Sequence, residues 1–239
     1  MTIDGRVAVV TGASRGIGLA IAEALVQGGA SVVVTGRDQA HLDKASARLA
    51  GLRSAANVLA VRADVRSAPD AARAVDAAAE RFGGLDVLVN NAGVGLFANV
   101  ADMSPEDWRE LMETNLSGVF HCCRAAIPHL RRRGGGWIIN ISSLAARNAF
   151  VGGAAYCASK AGLNAFAEAL MQEVRYDNIR VSCIMPGSVA TGFARRGESG
   201  EADWKIAPAD VAEIVCELIT FPARSLPSRI ELRPSRPRK

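Results

Sequence analysis

Short apolar runs alternate along this chain with longer segments in which apolar residues recur at helical spacing. The apolar runs are rich in Val and Ile and lie near Val7–Val10, Val32–Thr35, Val58–Val61, Val87–Asn90, Trp137–Ile141, Val181–Met185 and Ile230–Leu232. The helical segments cover Gly18–Gln27, Ala40–Leu49, Pro69–Arg81, Pro105–Leu130, Ala154–Arg175 and Pro208–Leu218. This alternation is typical of β-α units around a parallel sheet whose strands are covered on both faces. The pattern predicts an α/β fold with a doubly wound, seven-stranded parallel sheet and helices on both faces.

A single domain over residues 1–239 is expected, because no internal repeat or linker composition divides the chain. The Gly134–Gly136 run is interpreted as a tight turn from a long helix into a strand, although three glycines also permit a domain boundary. The residues from about 225 to 239 are predicted to form the last strand and a basic tail.

Composition and charge limit the classes of partner. Apolar residues make up 49% and charged residues 22% of the chain, which is ordinary for a globular protein. The net charge of +4 is small, and positive charge clusters near the end, at Arg229, Arg233, Arg236, Arg238 and Lys239. A basic tail can contact nucleic acid, but this one has no aromatic residues to stack on bases. We expect a solvated tail and no nucleic-acid partner.

The five cysteines show no C-x-x-C or other metal-ligand spacing, so we expect no metal site and small buried thiols of a reducing compartment. The first ten residues place an acid before a very short apolar run, unlike a signal peptide. No stretch approaches the ~18 apolar residues that a membrane-spanning helix needs. A cytoplasmic protein without a membrane partner is expected.

A glycine motif directly follows the first apolar run and opens a helix, with the sequence Thr11-Gly12-Ala13-Ser14-Arg15-Gly16-Ile17-Gly18. Glycines let the backbone turn sharply and approach a pyrophosphate, whose charge is held by amide groups at the helix N-terminus. A glycine triplet alone is weak evidence, and a purely structural turn is the alternative. The G-x-x-x-G-x-G spacing after Thr resembles the cofactor fingerprint of the short-chain dehydrogenase/reductase family.

Two further segments match this family and make the predicted sheet one of the Rossmann type. Asn90-Asn91-Ala92-Gly93 follows the fourth strand, where relatives have an N-N-A-G segment beside the adenosine ribose. Asp64-Val65 follows the third strand, at the position that contacts adenine in relatives. Open α/β sheets bind ligands at the carboxyl ends of their strands. The matches imply a dinucleotide site that includes Gly12, Ser14, Arg15, Gly16, Ile17, Gly18, Asp64, Val65, Asn91, Ala92 and Gly93.

Charge near the adenosine ribose should distinguish NAD from NADP. An acid hydrogen-bonds a free 2′-hydroxyl but repels a 2′-phosphate. Gly36 stands where NAD-preferring relatives have the acid, and Arg37 follows it. Arg37 and Arg15 together can clamp a phosphate dianion, so NADP(H) is expected in preference to NAD(H). In the alternative, Arg37 is a solvated surface residue and Asp38 binds the ribose.

The most specific signal joins a serine to a Tyr-x-x-x-Lys segment. Tyr156 and Lys160 are four residues apart, so a helix projects both side chains from one face. A phenol with a pKa near ~10 is a poor acid-base group at neutral pH, and an adjacent ammonium is expected to lower that pKa. Ser143, after the fifth strand, can hydrogen-bond a substrate carbonyl oxygen. Such Tyr/Lys pairs are common on helix surfaces, but the thirteen-residue spacing from Ser143 to Tyr156 matches the family signature.

Two more positions complete the family pattern. Asn115 matches a helix asparagine that in relatives distorts the helix and supports a water linking the lysine to solvent, and Asn is otherwise unfavourable inside a helix. The segment after the sixth strand resembles P-G-x-x-x-T, with cofactor contacts expected from Pro186, Gly187, Val189 and Thr191. In relatives the threonine lies near the nicotinamide carboxamide. Pro186 and Gly187 as a simple strand end is the alternative.

The resemblance extends from residue 5 to about 220 with every motif in order. It implies hydride transfer from the nicotinamide C4 to a carbonyl carbon while Tyr156 delivers a proton to the oxygen. It also implies that Lys160 holds the nicotinamide ribose, and that Lys160, Asn115 and water resupply protons. The expected activity is NADPH-dependent, reversible reduction of a ketone or 3-oxoacyl-type carbonyl. A catalytically idle nucleotide-binding scaffold or redox sensor is the alternative, although such proteins typically lose Ser143, Tyr156 or Lys160.

Substrate choice is expected to depend on the segment Gly192–Ile206 and on the loops after Gly93 and Ser143. An apolar wall, or alternatively part of the core, is expected from Phe97, Phe150, Phe193 and Trp204. The front of the chain is similar to 3-oxoacyl-carrier-protein reductases, whereas residues 228–234 look more like broad-specificity carbonyl or hydroxy-acid members. The helices Pro105–Leu130 and Ala154–Arg175 resemble those that pair across a two-fold axis in relatives, so a homodimer or homotetramer is expected.

Overall fold

The computed structural model describes residues 2–193 and 203–237, and within these ranges the sheet has seven parallel strands in the order β3-β2-β1-β4-β5-β6-β7. The strands are β1 (Val7–Val10), β2 (Ser31–Gly36), β3 (Val58–Arg62), β4 (Val87–Asn90), β5 (Gly136–Ile141), β6 (Ile179–Pro186) and β7 (Arg229–Leu232). Every neighbouring pair is parallel. The strand order reverses between β1 and β4, which opens a crevice at their carboxyl ends.

The α-helices cover both faces of the sheet. They are α1 (Gly16–Gln27), α2 (Gln39–Ala50), α3 (Ala68–Phe82), α4 (Pro105–Met112), α5 (Gly118–Arg132), α6 (Ala154–Val174) and α7 (Pro208–Thr220). Helices α1, α2 and α7 contribute to the core on one face, and α3, α5 and α6 to the core on the other. The predicted doubly wound α/β fold is confirmed.

Alternate strand residues enter these two cores. In β2, Val32 and Val34 pack with the α1 side, whereas Val33 between them packs with the α3 side. All three are fully buried, and burying such a side chain stabilises the fold by about 1.5–3 kcal/mol. A strand buried on both faces needs apolar residues at every position, which explains the continuous runs in the sequence.

The predicted helical segment Pro105–Leu130 is helical throughout, but a π-helical turn interrupts it at Asn115, the residue expected to distort the helix. Helix α4 ends at Met112, a π-helical segment covers Glu113–Ser117, and α5 begins at Gly118. The interruption contains Asn115, whose side chain is 1% exposed and hydrogen-bonded to groups outside the helix. A π-bulge adds a residue to the turn, which re-aims side chains and is frequent at functional sites.

The glycine run at residues 134–136 is a turn. Gly134, Gly135 and Gly136 have φ values of 78°, 127° and 157°, which residues with a Cβ rarely adopt. They carry the chain directly from α5 into β5, so the alternative of a domain boundary is excluded.

Ends of elements otherwise follow the sequence signals within a few residues. Ser104 caps α4 by accepting a hydrogen bond from the Asp107 amide at 3.0 Å, and Pro105 occupies the first turn. The short 3₁₀ helices Ala55–Asn57, Leu144–Ala146 and Arg175–Asp177 were not predicted. Among the described residues no helix is long and apolar enough to cross a membrane, and no group of three or more His, Cys, Asp or Glu is placed to hold a metal.

The cysteines and the tail largely follow expectation. Cys122, Cys123, Cys157 and Cys183 are buried free thiols, and Cys216 is partly buried. In the tail, the half-exposed Arg229 forms an ion pair with Glu168, and the half-exposed Arg233 forms one with Glu231. These two arginines are therefore more than solvated charges. Residues 238 and 239 lie outside the described ranges.

Candidate active site

A cleft of about 770 Å³ lies at the carboxyl edge of the sheet. It is lined by predicted site residues from six strand ends and their following loops: Gly12, Ser14, Arg15, Gly16, Ile17, Arg37, Asp64, Val65, Asn91, Ala92, Gly93, Ser143, Tyr156, Lys160, Pro186, Gly187, Val189 and Thr191. Two predicted residues, Gly18 and Asn115, do not line the cleft. They contact the residues that do, as described below.

The glycine motif brings separate segments together. Gly12 and Gly16 have φ values of +63° and +60°, and a Cβ on Gly12 would lie 2.8 Å from the Ala92 Cα. A Cβ on Gly16 would lie 3.4 Å from the Thr191 Cγ2. The loops after β1, β4 and β6 therefore meet at this turn, and glycine is required where the first two touch.

Helix α1 begins at Gly16, within this turn. No side chain caps the helix there, and its first turn contains no acidic residue. The first amide groups of a helix lack partners within the helix, and the helix dipole favours an anion beside them. The arrangement fits a pyrophosphate group, as in other dinucleotide-binding sheets.

Thr11 and Asn91 fix the two loops to each other. The Thr11 hydroxyl oxygen accepts hydrogen bonds from the amides of Asn91 and Ala92, each at 3.0 Å. The Asn91 side-chain amide donates to the carbonyl oxygens of Thr11 and Gly12 at 2.9 and 3.1 Å. Thr11 was not among the predicted site residues, although its place before the first glycine was a signal for it.

We predict that Gly18→Ala destabilises the fold by about 1–3 kcal/mol, because overpacking a close contact costs about that much. A Cβ there would lie 2.6 Å from the Gly12 carbonyl oxygen and would also collide with the Asn91 side-chain amide. Urea denaturation measures the effect. The control is Gly51→Ala, whose Cβ would have its nearest neighbour at 3.5 Å. Equal stability of both variants would contradict the prediction.

Beside the glycine motif and the end of β2, two basic side chains line the cleft. Arg15 and Arg37 are both exposed and both line it. A Cβ on Gly36 would lie only 3.3 Å from the Ser14 Cβ, so this position leaves little room for an acidic side chain. The Asp38 carboxylate instead caps α2, accepting a hydrogen bond from the His41 amide at 2.8 Å.

Asp64, at the predicted adenine position, forms an ion pair with Arg66. Arg66 donates to both carboxylate oxygens at 2.6 to 3.0 Å. Burial alone would raise the pKa of Asp64, but the hydrogen bonds from Arg66 hold that pKa below its ordinary value. Asp64 is therefore an anion in a neutral pair, and the adjacent Val65 gives the cleft a buried apolar surface.

Tyr156 and Lys160 lie one turn apart on the first half of α6, as the spacing predicted. Their exposed fractions are 8% and 4%, and the Lys160 Nζ lies 5.9 Å from the centre of the Tyr156 ring. Lys160 donates a hydrogen bond to the Ile141 carbonyl oxygen at 2.9 Å. Ser143 begins the 3₁₀ turn after β5, and its side chain interacts with the Tyr156 hydroxyl and lowers the pKa of that group. The three predicted side chains thus converge on one point of the cleft.

The expected lowering of the tyrosine pKa by the ammonium is wrong. Burial raises the pKa of Tyr156 to about 12, and the hydrogen bond with Ser143 offsets only part of that rise. Burial also lowers the pKa of Lys160 to about 8, and its ammonium is directed at the Ile141 carbonyl oxygen. The phenol is therefore protonated at neutral pH, and burial makes it a weaker acid than an exposed tyrosine.

Asn115 ties the loop after β4 to α6. Its side-chain oxygen accepts from the Val94 amide at 2.9 Å, and its nitrogen donates to the Val94 carbonyl and to the Ser159 hydroxyl at 3.0 and 3.1 Å. Ser159 in turn donates to the Tyr156 carbonyl oxygen at 2.8 Å. A Cβ on Gly93 would lie 3.2 Å from the Asn115 oxygen and 3.7 Å from the Lys160 Nζ, so both groups flank this glycine.

Aromatic rings surround Tyr156 at the mouth of the cleft. The Phe97 and Phe193 ring centres lie 5.4 and 6.0 Å from that of Tyr156, both edge-on, and Phe150 lies 5.7 Å from Phe97. The three phenylalanines are 41–47% exposed and so are not core, and Phe97 and Phe193 line the cleft whereas Phe150 contacts it only through Phe97. Trp204 does not line the cleft. Residues 194–202 of the predicted substrate segment lie outside the described residues.

Comparison with known proteins places this site in a family. Residues 6–202 match the family described as short chain dehydrogenase. An uncharacterized oxidoreductase of Staphylococcus saprophyticus is 32% identical over 236 residues, which cover 97% of this chain and 98% of that protein. The chain belongs to the short-chain dehydrogenase/reductase family. It is accordingly an NAD(P)-dependent oxidoreductase.

Solved structures of short-chain dehydrogenases/reductases share the fold over nearly the whole chain. A metagenomic short-chain oxidoreductase in complex with NADP has a TM-score of 0.85 and 36% identity, covering 99% of this chain and 100% of that one. A 7α-hydroxysteroid dehydrogenase complexed with NADH and 7-oxo glycochenodeoxycholic acid has a TM-score of 0.88 and 27% identity, covering 97% and 94%. Because these relatives hold either NADP or NADH, the fold alone does not choose between the two cofactors.

Several residues that line the cleft of this short-chain dehydrogenase/reductase were not predicted. They are Thr35, Ala63, Val94, Gly95, Thr114, Ile141, Ser142, Ser188 and Lys205, among others. Most have no reactive side chain to mark them in the sequence. Lys205 lies in the Gly192–Ile206 segment expected to govern substrate choice, but it matches no motif and was not singled out there.

Proposed function

We propose that this short-chain dehydrogenase/reductase uses NADPH to reduce a ketone to an alcohol, reversibly, with Tyr156 as the proton donor. The observation that supports this most strongly is the buried Tyr156, which lines the cleft together with Ser143 and lies one helical turn from the buried Lys160. In reduction a carbonyl oxygen must gain a proton as the carbon gains hydride, and the Tyr156 hydroxyl, which lines the cleft, carries a proton for that oxygen.

The residues of the cleft fit a nicotinamide dinucleotide. The uncapped N-terminus of α1 suits the pyrophosphate, and Lys160 would hold the nicotinamide ribose. Val189 and Thr191, in the loop after β6, would contact the nicotinamide. When bound, the reduced cofactor supplies the hydride.

The remaining roles belong to the protein. Ser143 would donate a hydrogen bond to the carbonyl oxygen, holding it beside the Tyr156 hydroxyl and stabilising charge that develops there. Lys160, with a pKa of about 8, can exchange protons near neutral pH and would resupply Tyr156. Asn115 supports this arrangement by holding Val94 and Ser159, and we assign the proton path to Lys160, Asn115 and water.

Two features support finer proposals. The apolar surface formed by Phe97 and Phe193 beside Tyr156 favours a ketone or 3-oxo ester with apolar substituents. Trp108 on α4 and Phe120 on α5 are 47% and 46% exposed, which favours a homodimer or homotetramer that covers these helices.

The test is consumption of reduced nicotinamide, followed by its near-ultraviolet absorbance, with NADPH or NADH and a panel of apolar ketones and 3-oxoacyl thioesters. Turnover with NADPH supports the proposal. Tight NADPH binding without turnover on any ketone would instead support a nucleotide-binding scaffold and overturn the reductase proposal.

We predict that Arg37→Ala raises the Kd of NADPH by about tenfold and changes that of NADH by less than about twofold. Hydrogen bonds to charged groups contribute about 1.5–3 kcal/mol, and the exposure of Arg37 reduces this figure. Fluorescence titration with each cofactor measures the effect. The control is Arg53→Ala, which removes an exposed arginine paired with Asp4 outside the cleft. Equal losses for both cofactors would contradict the assignment to a 2′-phosphate.

A further inference from the structure

We infer that Glu110 limits the preference for NADPH by competing with the cofactor's 2′-phosphate for Arg37. This inference rests on the proposed function, which assigns Arg37 to that phosphate. Glu110 lies on α4, outside the sequence motifs of the dinucleotide site, and it does not line the cleft.

The contact between the two side chains is an ion pair. The Arg37 Nη1 lies 3.7 Å from the Glu110 Oε1. The Glu110 side chain is 19% exposed and the Arg37 side chain 47% exposed. A carboxylate that is mostly withdrawn from solvent is screened less by salt than a fully exposed one, so its charge acts on the guanidinium and on anything bound there.

Two neighbouring charged side chains, Asp64 and Arg66, are paired with each other. Asp64 and Arg66 neutralise each other through several hydrogen bonds. Glu110 and Glu113 both act on Arg66 electrostatically, and Arg37 acts on Asp64, so the five side chains form one cluster at the adenosine end. Within this cluster Arg37 forms an ion pair with Glu110.

Binding of NADPH would bring a second anion to the Arg37 guanidinium. A 2′-phosphate carries close to two negative charges, and Arg37 must turn toward it or share its donors between two anions. In either case the Glu110 carboxylate loses stabilisation and lies near a second anion that repels it. NADH has a hydroxyl at this position, so the Arg37–Glu110 pair stays intact. The carboxylate thus disfavours NADPH and leaves NADH nearly unaffected.

The test uses the charge series Glu110→Gln and Glu110→Lys in the full chain. We expect the Kd of NADPH to fall about 3–5-fold for Gln and about tenfold for Lys, in line with the small energies of partly exposed ion pairs. The Kd of NADH should change by less than about twofold for Gln. Calorimetry with 2′,5′-ADP and 5′-ADP should give the same contrast without the nicotinamide.

The matched control is Glu106→Gln, one turn earlier on the same helix. Glu106 is 73% exposed and pairs with Arg109, also at 3.7 Å, so this variant makes the same charge change away from Arg37. It should leave both dissociation constants within about twofold. In an Arg37→Ala background, Glu110→Gln should lose most of its effect, because the shared guanidinium is gone.

The inference is overturned if Glu110→Gln weakens NADPH binding, which would show that Glu110 positions Arg37 for the phosphate. It is also overturned if Glu110→Gln and Glu106→Gln behave alike. Failure of the proposed function has a different signature: the unaltered chain would bind NADH more tightly than NADPH, or Arg37→Ala would leave NADPH binding unchanged.

Discussion

Replacing Tyr156 with Phe is expected to lower kcat for ketone reduction by about 10²–10⁴-fold, the usual contribution of a positioned proton donor. The ring is buried against Phe97 and Phe193, and Phe keeps those edge-on contacts while removing only the hydroxyl. The Kd of NADPH should change by less than about twofold. Steady-state rates and a fluorescence titration on the same preparations measure both quantities.

The chain offers a matched control, since Tyr176 is its other tyrosine and is 91% exposed at the end of α6. Tyr176→Phe should keep full activity. A Tyr156→Phe variant that retains more than about a tenth of the kcat would show that another group donates the proton. Loss of NADPH binding together with activity would point to a structural role of the hydroxyl.

The fold could be predicted because parallel strands buried on both faces leave a strong pattern. A strand such as β2 reads as a nearly uninterrupted apolar run, and chain order then places all carboxyl ends at one edge of the sheet. Segments as distant as the Gly12–Gly16 turn, Ala92 and Thr191 therefore had to approach one another, and Gly12 meets Ala92 while Gly16 meets Thr191. Topology alone brings most of the candidate site together.

The features that could not be predicted from the sequence depend on contacts between side chains of different helices, strands and loops. The π-helical turn at Asn115 exists because that side chain bonds to Val94 and Ser159, which lie far away in the chain. The pKa of Tyr156 rises because burial outweighs the interaction with Ser143, and the Lys160 ammonium is directed at the Ile141 carbonyl oxygen. Neither the degree of burial nor the direction of the ammonium can be read from a four-residue spacing.

The same limit applies to the partners of exposed charges. Arg37 was predicted from its place after β2, but its ion pair with Glu110 joins two elements about seventy residues apart. No periodicity links them. Such pairs modify the strength of a site whose location the motifs already predict.

Replacing Lys160 with Met is expected to raise the free energy of unfolding near pH 7 by about 1–3 kcal/mol while removing activity. Burial lowers the pKa of Lys160 from 10.5 to about 8. A folded-state pKa that is lower by one corresponds to about 1.4 kcal/mol of lost stability for the charged form. Met has a similar volume and no charge to desolvate, although it leaves the Ile141 carbonyl oxygen without the lysine donor. The net gain is therefore smaller than the full change in pKa implies.

The direction of the pH dependence distinguishes desolvation of the Lys160 ammonium from a gain in packing as the cause of the higher stability. Because the folded pKa lies below the unfolded one, the unfolded chain binds more protons between about pH 8 and pH 10.5, and the stability of the unaltered chain rises through that window. The advantage of Lys160→Met should thus be greatest below pH 8 and nearly vanish by about pH 10.5. Urea denaturation across this range measures it, with Lys44→Met on the exposed side of α2 as the control. A gap that stays constant with pH would refute the desolvation account. A gain that fades as predicted would show that the fold tolerates a destabilising buried ammonium where the proposed proton path requires one.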